Sequence, residues 1–264
     1  MPTTDLHRIA EFRGSFARRQ AAATTEIPGG AVVLDPRFAA SYVNNQIMMD
    51  GARTPSDLLA LAETTLGSLP HRRISFLDDA AGTAWLPTLI AAGYTHETEL
   101  IMSHSPSGSG KASAPGLPAR QVTLDELRPA LIKQQRVWTP DGDDAMVGQL
   151  VDRRSARLLG APRVSFLAVR DENGDIGSSV DLYRDPDRGI AQIEELVTAD
   201  THTRRGYADA LLATAVERAA DCDLLFLIAD ADDWPHTWYA RRGFTTIGRS
   251  HVFTRAPSRP GHRP

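Results

Sequence analysis

The sequence predicts a mixed α/β protein of two related halves, each a central, mostly antiparallel sheet flanked by helices. Two observations carry this. First, residues 72–104 and 223–253 run in the same order: an apolar strand ending in acids, a short Trp-led helix, a glycine–aromatic pair, then an alternating strand closing on Ser-His. The pairs are Gly93-Tyr94 and Gly243-Phe244. Second, residues 105–118 are built almost wholly of Ser, Gly, Pro and Ala, a composition that cannot bury a core and reads as a linker. The expected organisation is a first domain over 1–104, the linker over 105–118, a second domain over 119–255 and a flexible tail over 256–264.

The elements follow in order. In the first half a helix is expected over about Asp5–Ala22, strands near Ala31–Leu34 and Asn45–Met49, and a helix over Pro55–Leu69 with proline at its start. In the second half a strand near Gln121 precedes helices over Asp125–Trp138 and Asp143–Gly160. VSFLAVRD and IGSSVDLYR form a hairpin around Asn173-Gly174, a strong turn signal. IAQIEELVT is a strand, and Tyr207–Ala220 a helix with Ala208, Leu211, Leu212, Ala215 and Ala219 at helical spacing. LLFLIA is a buried strand, Trp234–Arg242 a helix and Phe244–Thr254 a strand.

Composition narrows the function. The hydrophobic share is 42% and the charged share 23% of 264 residues, with a net charge of −4 and the two signs well mixed. This argues against a dedicated nucleic-acid binder. No apolar run approaches the ~18 residues that span a bilayer, and the N-terminus lacks a signal-peptide core, so no membrane contact is expected. The single cysteine, Cys222, forms no internal disulfide, and a cytoplasmic setting is expected. Cys222 lies between Asp221 and Asp223, which would raise its thiol pKa, so a structural role is expected rather than a nucleophilic one. GSGKAS in the linker lacks the glycine at Ser105 and the hydroxyl at Ala112 that a phosphate-binding loop requires. His202, His236 and His251 have no metal-ligand spacing, and no metal is expected.

The stretch THTRRGYADALLATAVERAA, 201–220, places two arginines and a glycine at a helix start. A glycine there admits a ligand close to the backbone. The first amides of a helix have no intrahelical partner, and the helix dipole favours an anion. Arg204 and Arg205 add charged donors. The turn therefore suits a pyrophosphate. Taken alone, it fits a solvated helix start with incidental arginines better.

Its context, IEELVTAD upstream and WYARRGF downstream, resembles the GNAT superfamily of N-acetyltransferases, and the resemblance covers about Gln121–Phe253. The family's pyrophosphate loop is Gln/Arg-x-x-Gly-x-Gly/Ala. Gly206 and Ala208 match its last two marked positions, Arg204, Arg205 and Tyr207 fill unmarked ones, and Thr203 stands where Gln or Arg is usual. The resemblance implies acetyl-CoA as co-substrate, with Leu196, Val197 and Thr198 pairing with its pantetheine arm. It places Asp232 about where many relatives carry a cofactor-touching Asn. Tyr239, four residues before the Gly-Phe pair, matches a tyrosine that protonates the leaving thiolate in relatives; the alternative is an aromatic packing residue.

Acyl transfer needs a neutral amine, and keeping a lysine-like amine neutral at pH 7 costs ~4–5 kcal/mol. A positioned base offsets part of this. Glu194 and Glu195 are the candidates, and strict strand alternation sends them to opposite faces: Ile193, Glu195 and Val197 on one, Gln192, Glu194, Leu196 and Thr198 on the other. Relatives carry the base at the position of Glu194, so Glu194 is the expected catalytic base. The alternative leaves both glutamates solvated or binding substrate cations. An amide near Leu196 or Val197 would hold the oxyanion.

The first half offers only a Pro-Ser-Asp helix start at Pro55 in place of the phosphate turn, and Leu89 in place of Tyr239. It reads as a degenerate half that completes the substrate cleft. Tandem arrangements of this kind are known in the superfamily, mycothiol synthase-like enzymes among them. The expected function is transfer of an acetyl group from acetyl-CoA to a primary amine of a small molecule or peptide, in a ternary complex. The alternatives are a non-catalytic acyl-CoA-binding or regulatory module and a binder of nucleotides or other phosphates. A homodimer stays open.

Overall fold

A computed structural model describes residues 2–51, 57–104 and 118–256. The first half contains α1 (Pro2–Gln20), β1 (Ala23–Ile27), β2 (Gly30–Leu34), β3 (Gln46–Met49), α2 (Leu58–Leu66), β4 (Arg72–Phe76), α3 (Asp79–Ala91) and β5 (Thr95–His104). The second contains β6 (Arg120–Val122), α4 (Leu124–Trp138), α5 (Asp144–Asp152), α6 (Arg154–Arg157), β7 (Arg163–Arg170), β8 (Ile176–Asp185), β9 (Ile190–Thr198), α7 (Tyr207–Arg218), β10 (Leu224–Asp230), α8 (Pro235–Ala240) and β11 (Phe244–Arg255). The expected linker and tail fall almost wholly on residues outside those described, as does the helix start at Pro55.

Local chemistry sets the main boundaries. Thr123 and Glu126 close a reciprocal capping box at the start of α4, each side chain bonding the other residue's backbone N–H. Asp143 caps α5 by accepting from the Met146 N–H. Gly174, at φ 85°, turns the β7–β8 hairpin where a side chain would be strained. β1 is absent from the sequence expectation because ATTEI is polar and almost wholly exposed; as the terminal strand it pairs only with β2.

The two expected sheets are one. Among the described residues eleven strands run in the order β1-β2-β3-β4-β11-β5-β10-β9-β8-β7-β6. The last strand of each half is placed inside the other: β11 pairs with β4 and β5, and β5 pairs with β11 and β10. Only β3–β4 and β9–β10 are parallel, each joined through the helix between them, α2 and α7. The mixed α/β class and the helix-flanked sheet are as the sequence predicts.

One face carries the cores of α2 and α3 (Leu58, Ala62 and Leu89 on Ile47, Ile74 and Phe76) and of α7 (Leu211 and Ala215 on Leu182, Ile193 and Leu227). The other face carries α1, whose Ile9, Phe12 and Phe16 sit on Tyr183 and Phe226 of the second half. The next residue, Ala17 of α1, packs on Val33 and Met48 of the first half. Each aromatic buried there contributes about 1.5–3 kcal/mol, so α1 ties the halves together beneath the sheet. Among the described residues no helix is long and apolar enough to cross a membrane.

Candidate functional site

The parallel pairing of β9 with β10 ends at Ile193–Leu227. Beyond it the strands part, and Glu194 and Ile228 stand at the opening of a fork. β9 also carries a bulge. Ser179 faces Val197 and Asp181 faces Glu194, so two steps along β8 match three along β9. Glu195 sits at φ 49° inside the bulge.

The bulge corrects the expected alternation. Leu196 packs with Ile193 in the core beneath α7, where strict alternation would have put it with Glu194. Leu196 and Thr198 line a cavity of about 620 Å³ at the N-terminus of α7. Glu194 and Gln192 line a smaller cavity under α1. Glu195 and Val197 line a third, between α4, α5 and the sheet. The two glutamates are therefore not on opposite faces: Arg157 bonds Glu195 and lines the same α1-side cavity as Glu194.

The α7 cavity gathers most of the expected cofactor residues. Thr203, Arg204, Gly206, Tyr207 and Ala208 line it together with Leu196, Thr198 and Tyr239. Arg204 and Gly206 have φ of 62° and 80°, which wraps the turn into a nest of N–H groups, and α7 has no side-chain N-cap. The turn is anchored from below. His202 bonds Asp171 at 3.1 Å, and its ring and that of Tyr207 occupy the space a Cβ on Gly177 would need. Val197, Arg205, Asp232 and Glu194 do not line this cavity, and Asp232 is exposed. Sequence reasoning missed Trp234 and Trp238, which line its wall; Trp234 is 66% exposed, and Trp238 stacks on Arg242, itself bonded to Asp209. Their signal was the Trp-led helix itself, read only as a structural repeat.

Tyr239 is buried against Trp238 and Phe244, and its hydroxyl makes no hydrogen bond to another described residue. Burial, and then the charge of Glu194, push the phenol above its ordinary value. It is thus held protonated, as a proton donor must be.

The two glutamates differ in state. Glu195 accepts from Arg154 at 2.6 Å, Arg157 at 2.6 Å and Arg153 at 3.1 Å. Burial opposes its ionisation, yet Arg157, Arg154 and Arg153 hold it well below the usual carboxylate range. It is consumed by structure. Glu194 accepts one bond, from Gln192 at 2.6 Å. Burial raises its pKa; Arg157 opposes this and Glu195 adds to it. A carboxylate shifted upward and little engaged is the better base.

Cys222 is pushed up to about 11 by burial and then by Asp221, the direction its sequence neighbours predict. His236 engages the Asp233 carbonyl at 2.6 Å, and His251 lies between His96 and Asp79. Among the described residues no group of three or more His, Cys, Asp or Glu could hold a metal ion.

Residues 127–244 match the model of the acetyltransferase (GNAT) family. That match, confined to the second half of the chain, supports acyl transfer as the general class of activity. No curated protein matches the chain. A solved structure from Staphylococcus epidermidis, described as a functionally unknown conserved protein, is 17% identical, with TM-score 0.67 over 88% of this chain and 92% of its own. A GCN5-related N-acetyltransferase from Kribbella flavida is 16% identical, with TM-score 0.63 over 96% of both chains. A tandem GNAT protein from the clavulanic acid biosynthesis pathway is 15% identical, with TM-score 0.52 over 90% of this chain and 86% of its own. At these identities the likeness is one of fold.

Proposed function

We propose that the protein transfers an acetyl group from acetyl-CoA to the primary amine of a small acceptor. The observation that carries this is the fork beyond Ile193–Leu227. It has the nest of Arg204 and Gly206 and the Tyr239 hydroxyl on the α7 side, and the lightly engaged Glu194 on the α1 side. The α7 cavity suits the CoA chain: N–H groups and Arg204 for the pyrophosphate, the unpaired edge of β9 at Leu196–Thr198 for the amide-bearing arm, and apolar walls for the rest. Acetyl-CoA bound there supplies a thioester already activated for transfer.

The chain's own residues do the rest. Glu194 accepts the proton of the acceptor ammonium, directly or through water. A backbone N–H freed by the bulge near Leu196 or Val197 steadies the negative charge that gathers on the carbonyl oxygen. Tyr239 holds its proton ready for the departing sulfur. The division into domains at 1–104 and 119–255, and a cytoplasmic location, belong to the same reading.

Competition tests the ligand. Desulfo-CoA should displace acetyl-CoA with micromolar strength and ATP should not; equal displacement by both would replace this reading with a general phosphate binder. A second reading, a non-catalytic acyl-CoA-binding module, is favoured by one detail. The Thr203 hydroxyl is turned onto the Asp200 carbonyl at 3.0 Å, so the position where the family has a long donor offers none to a ligand. Release of CoA thiol with amine acceptors separates the two.

A further inference from the structure

The cavity under α1 lies between the halves and beside the fork. Arg13, Arg73 and Glu99 come from the first half and Gln192, Glu194 and Arg157 from the second. Most of its charges are spent. Arg13 donates to Glu99 at 2.7 Å and to Ser250 at 2.8 Å. Arg157 is taken by Asp181 at 2.9 Å, by the Tyr183 hydroxyl at 2.8 Å and by Glu195. Two charged groups are only loosely engaged. Arg73 makes no side-chain hydrogen bond to a described residue; its nearest anion, Glu99, is 4.0 Å away, and its buried Nε has no partner. Glu194 has only Gln192.

A guanidinium stays charged in a protein, and a charge this enclosed is ordinarily paired. Burial lowers the Arg73 pKa, and Glu99, Glu97 and Glu194 only partly offset this, so a bound anion would relieve it. The cavity holds about 130 Å³, room for a small polar molecule. A body of that size with an anion for Arg73 and an amine for Glu194 is a small amino acid.

We propose that the acceptor is a small free amino acid. Its carboxylate pairs with Arg73 and its amine points to Glu194 at the fork. This rests on the acetyl-transfer reading above and gives the first half a chemical part in the site. In the transfer, the amine nitrogen forms a bond to the acetyl carbon while the carbon–sulfur bond breaks. The ammonium's first proton goes to Glu194 and on to solvent; the second, shed as the carbon–nitrogen bond forms, replaces the proton that Tyr239 gives to the sulfur, leaving an N-acetyl amino acid, CoA and one released proton.

The experiment uses the full chain, with acetyl-CoA binding measured first by calorimetry. Thiol release is then followed with glycine, alanine and serine and with their carboxamides. The amides carry the less basic, more readily neutral amine, so without recognition of the carboxylate they would be the better acceptors. The expected result is kcat/KM at least tenfold higher for an acid than for its amide. In Arg73→Gln the KM of the acid rises at least tenfold while that of the amide is unchanged. Acetyl-CoA binding with amides accepted as well as the acids, or with none of the acids accepted, would overturn the amino-acid acceptor and leave the cofactor site standing. No acetyl-CoA binding would overturn both. The wild-type comparison of acid with amide stands even if Arg73→Gln does not fold.

Discussion

Glu194 and Glu195 are neighbours in the chain, on one side of the sheet, in opposite electrostatic states: Glu195 is held down by three arginines, and Glu194 is raised by burial with one amide partner. Their effects on stability should have opposite signs. Glu195 contributes fully above its unfolded pKa of ~4.3, and that contribution is lost as pH falls through its lowered folded value. Glu194 behaves oppositely: its ionisation costs stability above ~4.3, and the cost is complete past its raised folded value. At pH 7, Glu195→Gln should therefore destabilise by about 3–5 kcal/mol, because Arg153 loses its acid partner and Arg154 and Arg157 are left to share Asp181. Glu194→Gln should raise the melting temperature. Denaturation of both variants at pH 4 and pH 7 checks the signs.

The same substitution at Glu194 should lower kcat by about 10²-fold or more. The wild-type rate should climb with pH through a value above the ordinary carboxylate range, and that rise should vanish in Glu194→Gln. A pH–rate profile of thiol release reads this. A rate unchanged in Glu194→Gln assigns the base elsewhere.

Tyr239→Phe keeps the ring against Trp238 and Phe244 and removes only the hydroxyl. It should cut kcat by about 10²-fold and leave acetyl-CoA affinity and melting temperature close to wild type. Unchanged turnover would make Tyr239 a packing residue.

Arg204 lines the α7 cavity and Arg205 does not, although the sequence gives them equal standing. Arg204→Ala should weaken acetyl-CoA binding about tenfold, the loss of one charge-assisted hydrogen bond. Arg205→Ala should change it little at moderate salt. Equal losses would mean the charge alone matters, not the turn that aims it.

How much of this was readable in the sequence follows the range of the forces involved. Local signals gave the elements: the Asn173-Gly174 turn, the periodic apolar stripe of α7, and the glycine at its start. What failed depended on pairing between distant residues. The alternating pattern of β9 assigns faces correctly up to Glu194 and then fails, because the bulge is set by register against β8 and nothing in EELVT marks it. The placing of β5 between β10 and β11 is likewise invisible, since each strand alternates equally well in any sheet. Arg13, Arg73 and Glu99 went unread because α1, β4 and β5 meet only through that arrangement.

The strand exchange has a consequence for dissection. Residues 119–264 alone lose β5, which joins β10 to β11 through ladders of six and ten residue pairs. That fragment should not fold by itself, despite the linker, and should regain near-ultraviolet circular dichroism on mixing with residues 1–104. A well-folded, monomeric fragment would contradict the single interleaved sheet.

The central claim is one working acetyl-CoA site per chain, at the fork between β9 and β10. The most direct test is calorimetric titration of the whole chain with acetyl-CoA. The account predicts micromolar binding with one site per chain. A folded chain that takes up no acetyl-CoA would contradict it: the turn at Arg204–Gly206 would be an ordinary helix start and the acyl-transfer reading would fall.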